Sequence, residues 1–170
     1  MSDKTIPTEE KYAFKNKAEW QEALNAAPKD IWIKARDLGG GRKSQYIPIP
    51  ILQALADIFF AEFDVIDAQF KVIANEVLCT VKISFLPNYP NSEHRTMSGS
   101  GAKPIQAASG SKTHLFPEGK ITNSLEYCAP AARTVAIGNA LNTFGNVFGR
   151  NIGRAISSDY NMSSKKRKNE

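Results

Sequence analysis

Two alternating runs placed back to back constrain this chain more than any other feature. Ile66, Ala68, Phe70, Val72 and Ala74 alternate with Asp67, Gln69, Lys71 and Ile73, while Val77, Cys79, Val81, Ile83 and Phe85 alternate with Leu78, Thr80, Lys82 and Ser84. A period of two puts each apolar set on one face of a strand. The interval at Asn75-Glu76 is short enough for a hairpin turn. Leu86 to Asn91, carrying Pro87 and Pro90, leads to a third strand expected around His94 to Ala102.

The flanking segments read as helices. Lys15 to Ala27 puts Trp20, Ala23, Leu24 and Ala27 on one face before Pro28 ends it. Asp30 to Leu38 is strand-like, and Gly39-Gly40-Gly41 then marks a turn with basic and aromatic residues on both arms. Pro48 and Pro50 suit the approach and first turn of a helix whose apolar residues Ile51, Leu52, Leu55, Ile58, Phe59 and Phe63 recur through Phe63.

Lys103 to Thr122 is polar and rich in Gly and Ser, as expected of a mobile loop. Asn123 or Ser124 can cap a last helix, with Glu126 placed for a capping box. Pro130 either kinks that helix or opens a fresh one running to about Ser157. Leu141, Phe144, Phe148 and Ile152 form its apolar stripe, Gly138, Gly145, Gly149 and Gly153 a small-residue stripe, and Asn139, Asn146, Arg150 and Arg154 the remaining face. Four helical glycines cost roughly 1 kcal/mol each relative to alanine. Some element, subunit or nucleic-acid strand is therefore expected to approach that backbone closely.

The predicted fold class is α+β: a three-stranded antiparallel meander packed on a long C-terminal helix, with an N-terminal helix and a hairpin-like glycine turn. The expected organisation is a leader at 1–13, one domain at 14–160 and a basic tail at 161–170. With 42% hydrophobic and 23% charged residues, the chain has the composition of a packed soluble domain. Its most apolar stretch, Ile47 to Phe63, is interrupted by Pro48, Pro50, Gln53, Asp57 and Glu62, too polar for a membrane span. The N-terminal MSDKTIPTEEK lacks the apolar core of a signal peptide, so the protein is expected to stay in the compartment where it is made.

Cys79 and Cys128, with His94 and His114, have no metal-knuckle spacing, and both cysteines read as reduced core residues. No metal or cofactor is expected. Gly39 to Ser44 lacks the glycine immediately before Lys-Ser that an ATP-binding loop requires. Asp57, Glu62, Asp64 and Asp67 do not share a face, and a solvated acidic surface is the preferred reading over a nuclease metal site. Neither histidine sits in a nucleophilic motif, so no enzymatic activity is expected.

The net charge of +5 is uneven: Lys165, Lys166, Arg167 and Lys168 against Glu170 supply +3, leaving +2 for the rest. Lys29, Lys34, Arg36, Arg42 and Lys43 crowd residues 29–46, and Arg133, Arg150 and Arg154 stand in an acid-free stretch at 127–158. Between them, residues 54–76 carry Asp57, Glu62, Asp64, Asp67 and Glu76 against Lys71 alone. Basic segments flanking an acidic one can make a directional anion-binding surface on a nearly neutral protein.

Ile33-Lys34-Ala35-Arg36-Asp37-Leu38-Gly39-Gly40-Gly41-Arg42-Lys43-Ser44-Gln45-Tyr46-Ile47 resembles the N-terminal motif of the Rad-fifty-two type of single-strand annealing proteins. Ser124-Leu125-Glu126 with Ala140-Leu141-Asn142-Thr143-Phe144-Gly145-Asn146-Val147-Phe148-Gly149 is similar to that family's long-helix motif, and Ala-Ile-Gly-Asn-Ala-Leu at 136–141 to phage annealing proteins. The resemblance covers roughly residues 28–160. It implies an oligomeric ring that binds single-stranded DNA along its sugar-phosphate backbone and anneals complements without ATP, in homologous recombination and repair. A single-strand-binding protein or an exonuclease would be further partners, in the cytoplasm or, in a eukaryote, the nucleus.

Carried over, Arg36, Lys43 and Tyr46 are the leading groove candidates, and Lys34, Arg42 and Lys103 complete the basic set. Where the family has lysines and arginines in mid-helix, this chain has Gly138, Asn139 and Asn142, with Arg133, Arg150 and Arg154 as substitutes. Trp32 and Tyr46 are the aromatic residues considered for base stacking; core is the preferred reading for Trp32, whereas for Tyr46 core and stacking stand level. Arg150 and Arg154, one helical turn apart, can clamp a backbone or pair with a neighbouring subunit, for which the 15–27 helix and the glycine stripe are the expected contacts. The alternative to annealing is a structural or RNA-binding module using the same basic surface.

Overall fold

The computed structural model describes residues 12–37, 39–109 and 119–153. Its elements are α1 (Lys17–Asn25), β1 (Lys34–Asp37), β2 (Lys43–Tyr46), α2 (Ile49–Phe59), β3 (Phe60–Ile73), β4 (Glu76–Pro87), β5 (Arg95–Pro104) and α3 (Ser124–Asn142). Short 3-10 turns lie at Asp30–Trp32 and Asn146–Phe148. This is the expected α+β class, with an antiparallel sheet ordered β3-β4-β5 lying against α3 and a separate β1-β2 hairpin.

The meander follows its alternation. Val77, Cys79, Val81, Ile83 and Phe85 are all buried on the α3 side of β4. On β5 the matching positions include Gly101 opposite Cys79 and Gly99 opposite Val81. A Cβ at either glycine would run into the α3 backbone at Val135 and Ala136 or into Ala140. The helix can therefore lie directly on β5, with Ala132, Ala136 and Ala140 buried beneath it.

Three expected boundaries are corrected. The helix expected through Phe63 stops at Phe59, where the chain becomes extended (Phe60 φ −123°). The spacing of Phe59 and Phe63 fits a helix, but Phe63 sits opposite Phe85 in the sheet. The hairpin turn is Ala74-Asn75 rather than Asn75-Glu76: Ala74 takes φ 52° and Glu76 already pairs with Ile73. The third strand extends to Pro104, so Lys103 belongs to β5 rather than to the following loop, of which residues 110–118 lie outside the described residues.

The last helix is shorter than expected. It runs unbroken through Pro130 but ends at Asn142 rather than near Ser157. Asn123 precedes it in the left-handed region without a side-chain cap, and the Ser124 hydroxyl is buried without a partner, so the expected capping box does not form. Beyond the helix, Gly145 lies where a Cβ would strike the Leu24 carbonyl of α1, and Gly149 turns the chain at φ 91°.

The glycine stripe is thus not a helical face. Gly138 is helical and meets Ile49 of α2, whereas Gly145 meets α1 of the same chain. These close approaches are intramolecular. Leu141, Phe144, Phe148 and Ile152 still pack inward. Phe144 lies 4.5 Å from Phe60 and 4.7 Å from Phe85 by ring centroids, in a cluster that Phe148 and Phe59 extend.

The Trp20 indole donates to the Phe59 carbonyl at 2.8 Å, satisfying a buried N–H and fastening α1 where α2 becomes β3. Part of the expected leader is tied down as well: Ala13 and Phe14 donate to Asn88, and the Phe14 ring lies 5.1 Å from Phe59.

Candidate nucleic-acid groove

The β1-β2 hairpin is built from its tip. Gly39, Gly40 and Gly41 take φ of 81°, 60° and 76°, a run of left-handed backbone that side-chain-bearing residues resist. Asp37 closes the turn by accepting from the Gly39 N–H at 2.7 Å. The arms pair Lys34 with Tyr46, Ala35 with Gln45, Arg36 with Ser44 and Asp37 with Lys43. Every arm residue except Ser44 is exposed, so the hairpin contributes little core.

Strand alternation divides the basic residues of the hairpin. Lys34, Arg36, Ser44 and Tyr46 share one face, while Asp37 and Lys43 lie on the other. The Arg36 guanidinium sits 5.7 Å from the centre of the Tyr46 ring, a cation-π arrangement that keeps charge beside a 41% exposed aromatic surface. The sequence placed Arg36 and Lys43 in one site, whereas the register divides them.

A groove of about 650 Å³ runs between the base of this hairpin and the C-terminal end of α3. Gln45, Tyr46 and Ile47 line one wall, Asn139, Asn142 and Thr143 the other, and Gly149, Arg150 and Ile152 close the end. Among the described residues, no acidic residue lines it. The left-handed turn at Gly149 brings Arg150 back over the helix end, where its guanidinium donates to the Thr143 carbonyl. This contact caps α3 with a positive charge and leaves further N–H donors of the same guanidinium available to an anion.

Asn139 donates to the Ser100 carbonyl at 2.8 Å, which fixes one amide against β5. Asn142 has no side-chain partner among the described residues. Chemically the groove offers an aromatic face, guanidinium donors and neutral amides. Such a set suits a phosphodiester chain carrying bases: cations and amides meet the backbone while a ring stacks on a base.

The other predicted residues lie elsewhere. Arg42 stands at the hairpin tip, and Lys103 opposite Val77 near the far end of the sheet. Arg133 lies close enough to lower the pKa of Cys79 while burial, the larger effect, raises it. Arg154 lies outside the described residues, and Arg150 lies beyond α3, which ends at Asn142.

Trp32 is half-buried against the core with Lys29 5.2 Å from its ring, in keeping with its core reading. The sequence missed Gln45, Ile47 and Ile152 as groove walls. It noted Asn139 on the remaining face of the last helix and, with Asn142, where the family has cations, but not the two as walls of one groove.

Both cysteines are buried and free. Among the described residues, the acidic and histidine side chains form one ion pair, His94–Glu62 at 3.4 Å, and no cluster able to hold a metal. No described helix is long and apolar enough to cross a membrane. In comparisons with known proteins, the chain matched no family model and no curated protein.

Proposed function

We propose that this protein binds single-stranded DNA in the groove between the β1-β2 hairpin and α3 and promotes annealing of complementary strands without ATP, as an oligomer. The observation that carries the reading is a groove that Tyr46, Asn142 and Arg150 line together, with Arg36 beside the Tyr46 ring and no acidic lining residue among the described residues. Phosphate contacts by Lys34, Arg36 and Arg150 bind without reading sequence, because they leave base edges untouched. Tyr46 adds stacking that every base can accept. A strand held by its backbone keeps its pairing edges available to a complement, which is the condition annealing requires.

The groove uses fewer cations than the basic composition suggested, and asparagines supplement them. Binding is then of moderate salt sensitivity: with three phosphate contacts the slope of log K against log salt is about −2. Arg42 and Lys43, on the tip and opposite face, serve a second stretch of strand or a neighbouring copy.

The test is a fluorescence annealing assay with complementary oligonucleotides at low salt and no nucleotide. The wild type is expected to accelerate pairing and Arg36→Ala/Tyr46→Ala to lose most of that acceleration. No acceleration by the wild type would overturn the annealing reading and leave a structural or RNA-binding module.

A further inference from the structure

The sheet treats its two edge strands differently. The glycines of β5 let α3 lie on that side, so the helix leaves much of the corresponding face of β3 uncovered. Phe70 and Val72 on that face are 47% and 56% exposed, Ile73 on the opposite face is 57% exposed and Ile66 at the register shift 53%, together four of the ten large apolar residues exposed in the described chain. β3 is also a terminal strand, with β4 on one side and no strand among the described residues on the other.

An open strand edge is a template for another strand, and proteins normally blunt it with bulges, prolines or charge. The first half of β3 is blunted in this way, by register shifts at Phe60/Glu62 and Val65/Asp67 and by Glu62 and Asp64. From Asp67 to Ile73 the ladder with β4 is regular and contains no proline.

The charges of this open half are arranged about one residue. Asp67 and Lys71 lie two positions either side of Gln69, and alternation puts all three on the face away from α3. Gln69 donates to the Asp67 carboxylate at 3.0 Å, which holds the acid in place. Lys71 has no partner among the described residues.

We propose that β3 pairs antiparallel with β3 of a second copy, about a two-fold axis at Gln69, to make a continuous six-stranded sheet. In that register Asp67 of each copy stands opposite Lys71 of the other, twice over, and Phe70 stands opposite the small Ala68. Moving the axis by one residue to Ala68 or Phe70 breaks both charge pairs. The occupant is a second copy because the pattern is complementary to itself, the requirement of an isologous contact. This contact does not depend on the DNA-binding reading, and it is additional to the head-to-tail contacts that a ring would use.

The test needs no DNA. In Gln69→Cys the new thiols meet across the axis, within the reach of about 4.4–6.8 Å between Cα atoms that a disulfide spans. Mild oxidation at micromolar concentration is expected to yield covalent dimers at least about tenfold faster than Thr80→Cys, an exposed position on the neighbouring strand.

In sedimentation velocity, Asp67→Lys and Lys71→Asp are each expected to weaken association about tenfold. The double variant Asp67→Lys/Lys71→Asp, again self-complementary, is expected to recover it to within about threefold. Circular dichroism on each variant checks that the fold is retained. Crosslinking of Gln69→Cys no faster than the control, or a double variant as weak as the singles, would overturn the proposal. The second result would also mean that any partner on this edge is not another β3.

Discussion

The β1-β2 hairpin and the β3-β4-β5 meander are both antiparallel and both turn tightly, yet they occupy opposite ends of the stability scale. Every second residue of β4 is buried under α3 or the aromatic cluster, whereas the hairpin exposes nearly all its side chains and relies on three left-handed glycines and an aspartate to hold its turn. A two-stranded hairpin alone is marginal in water. The fold therefore concentrates its stability in one set of strands and presents cation and aromatic chemistry on another. Recognition surfaces commonly sit on such low-stability elements because they must adjust to a ligand.

Core truncation should break the meander side of this comparison most severely. Phe148→Ala removes a fully buried ring between Phe59, Phe60 and Phe144, and should cost about 3–5 kcal/mol in urea denaturation. The hairpin side should respond in binding rather than stability. Arg36→Ala/Tyr46→Ala should weaken oligonucleotide binding by about 1–3 kcal/mol in fluorescence anisotropy, while unfolding changes by less than about 0.5 kcal/mol. A comparable loss of stability would mean that the hairpin is part of the core.

Smaller effects sharpen the contrast. Arg150→Gln should lower the salt slope of binding by about 0.7, the share of one phosphate on a single strand. Cys79 gives the meander a weak alkaline signature. Burial raises its pKa above the ordinary 9.0, with Arg133 opposing in part. The unfolded thiol therefore ionises first: this contribution is complete below pH 9.0 and is lost as pH rises through the folded value. Thermal melts of the wild type should decline slightly more steeply above pH 9 than those of Cys79→Ala.

The sequence revealed the meander better than it revealed the groove. Period-two alternation from Val77 to Phe85 is a local pattern that burial enforces, so strand, face and core could be read directly. The end of α3 could not, because Leu141, Phe144, Phe148 and Ile152 satisfy helical spacing while the chain in fact leaves the helix after Asn142. Beyond that end the chain is extended at Gly145 and lies so close to the Leu24 carbonyl of α1 that a Cβ would not fit there, a tertiary contact that helical spacing does not report. The same limit applies to the site. Arg36 and Tyr46 could be singled out, but their sharing of a face without Lys43 follows from the hairpin register, and Arg150 reaches the groove only through the turn at Gly149.

The most direct test of the central claim is hydrogen exchange with and without a single-stranded oligonucleotide. Residues 34–46 should exchange rapidly in the free protein and become protected on binding, together with 139–150 at the end of α3, while the β4 amides stay slow in both states. Protection confined to other surfaces, with the hairpin exchanging as before, would contradict the account and move the binding site off this groove.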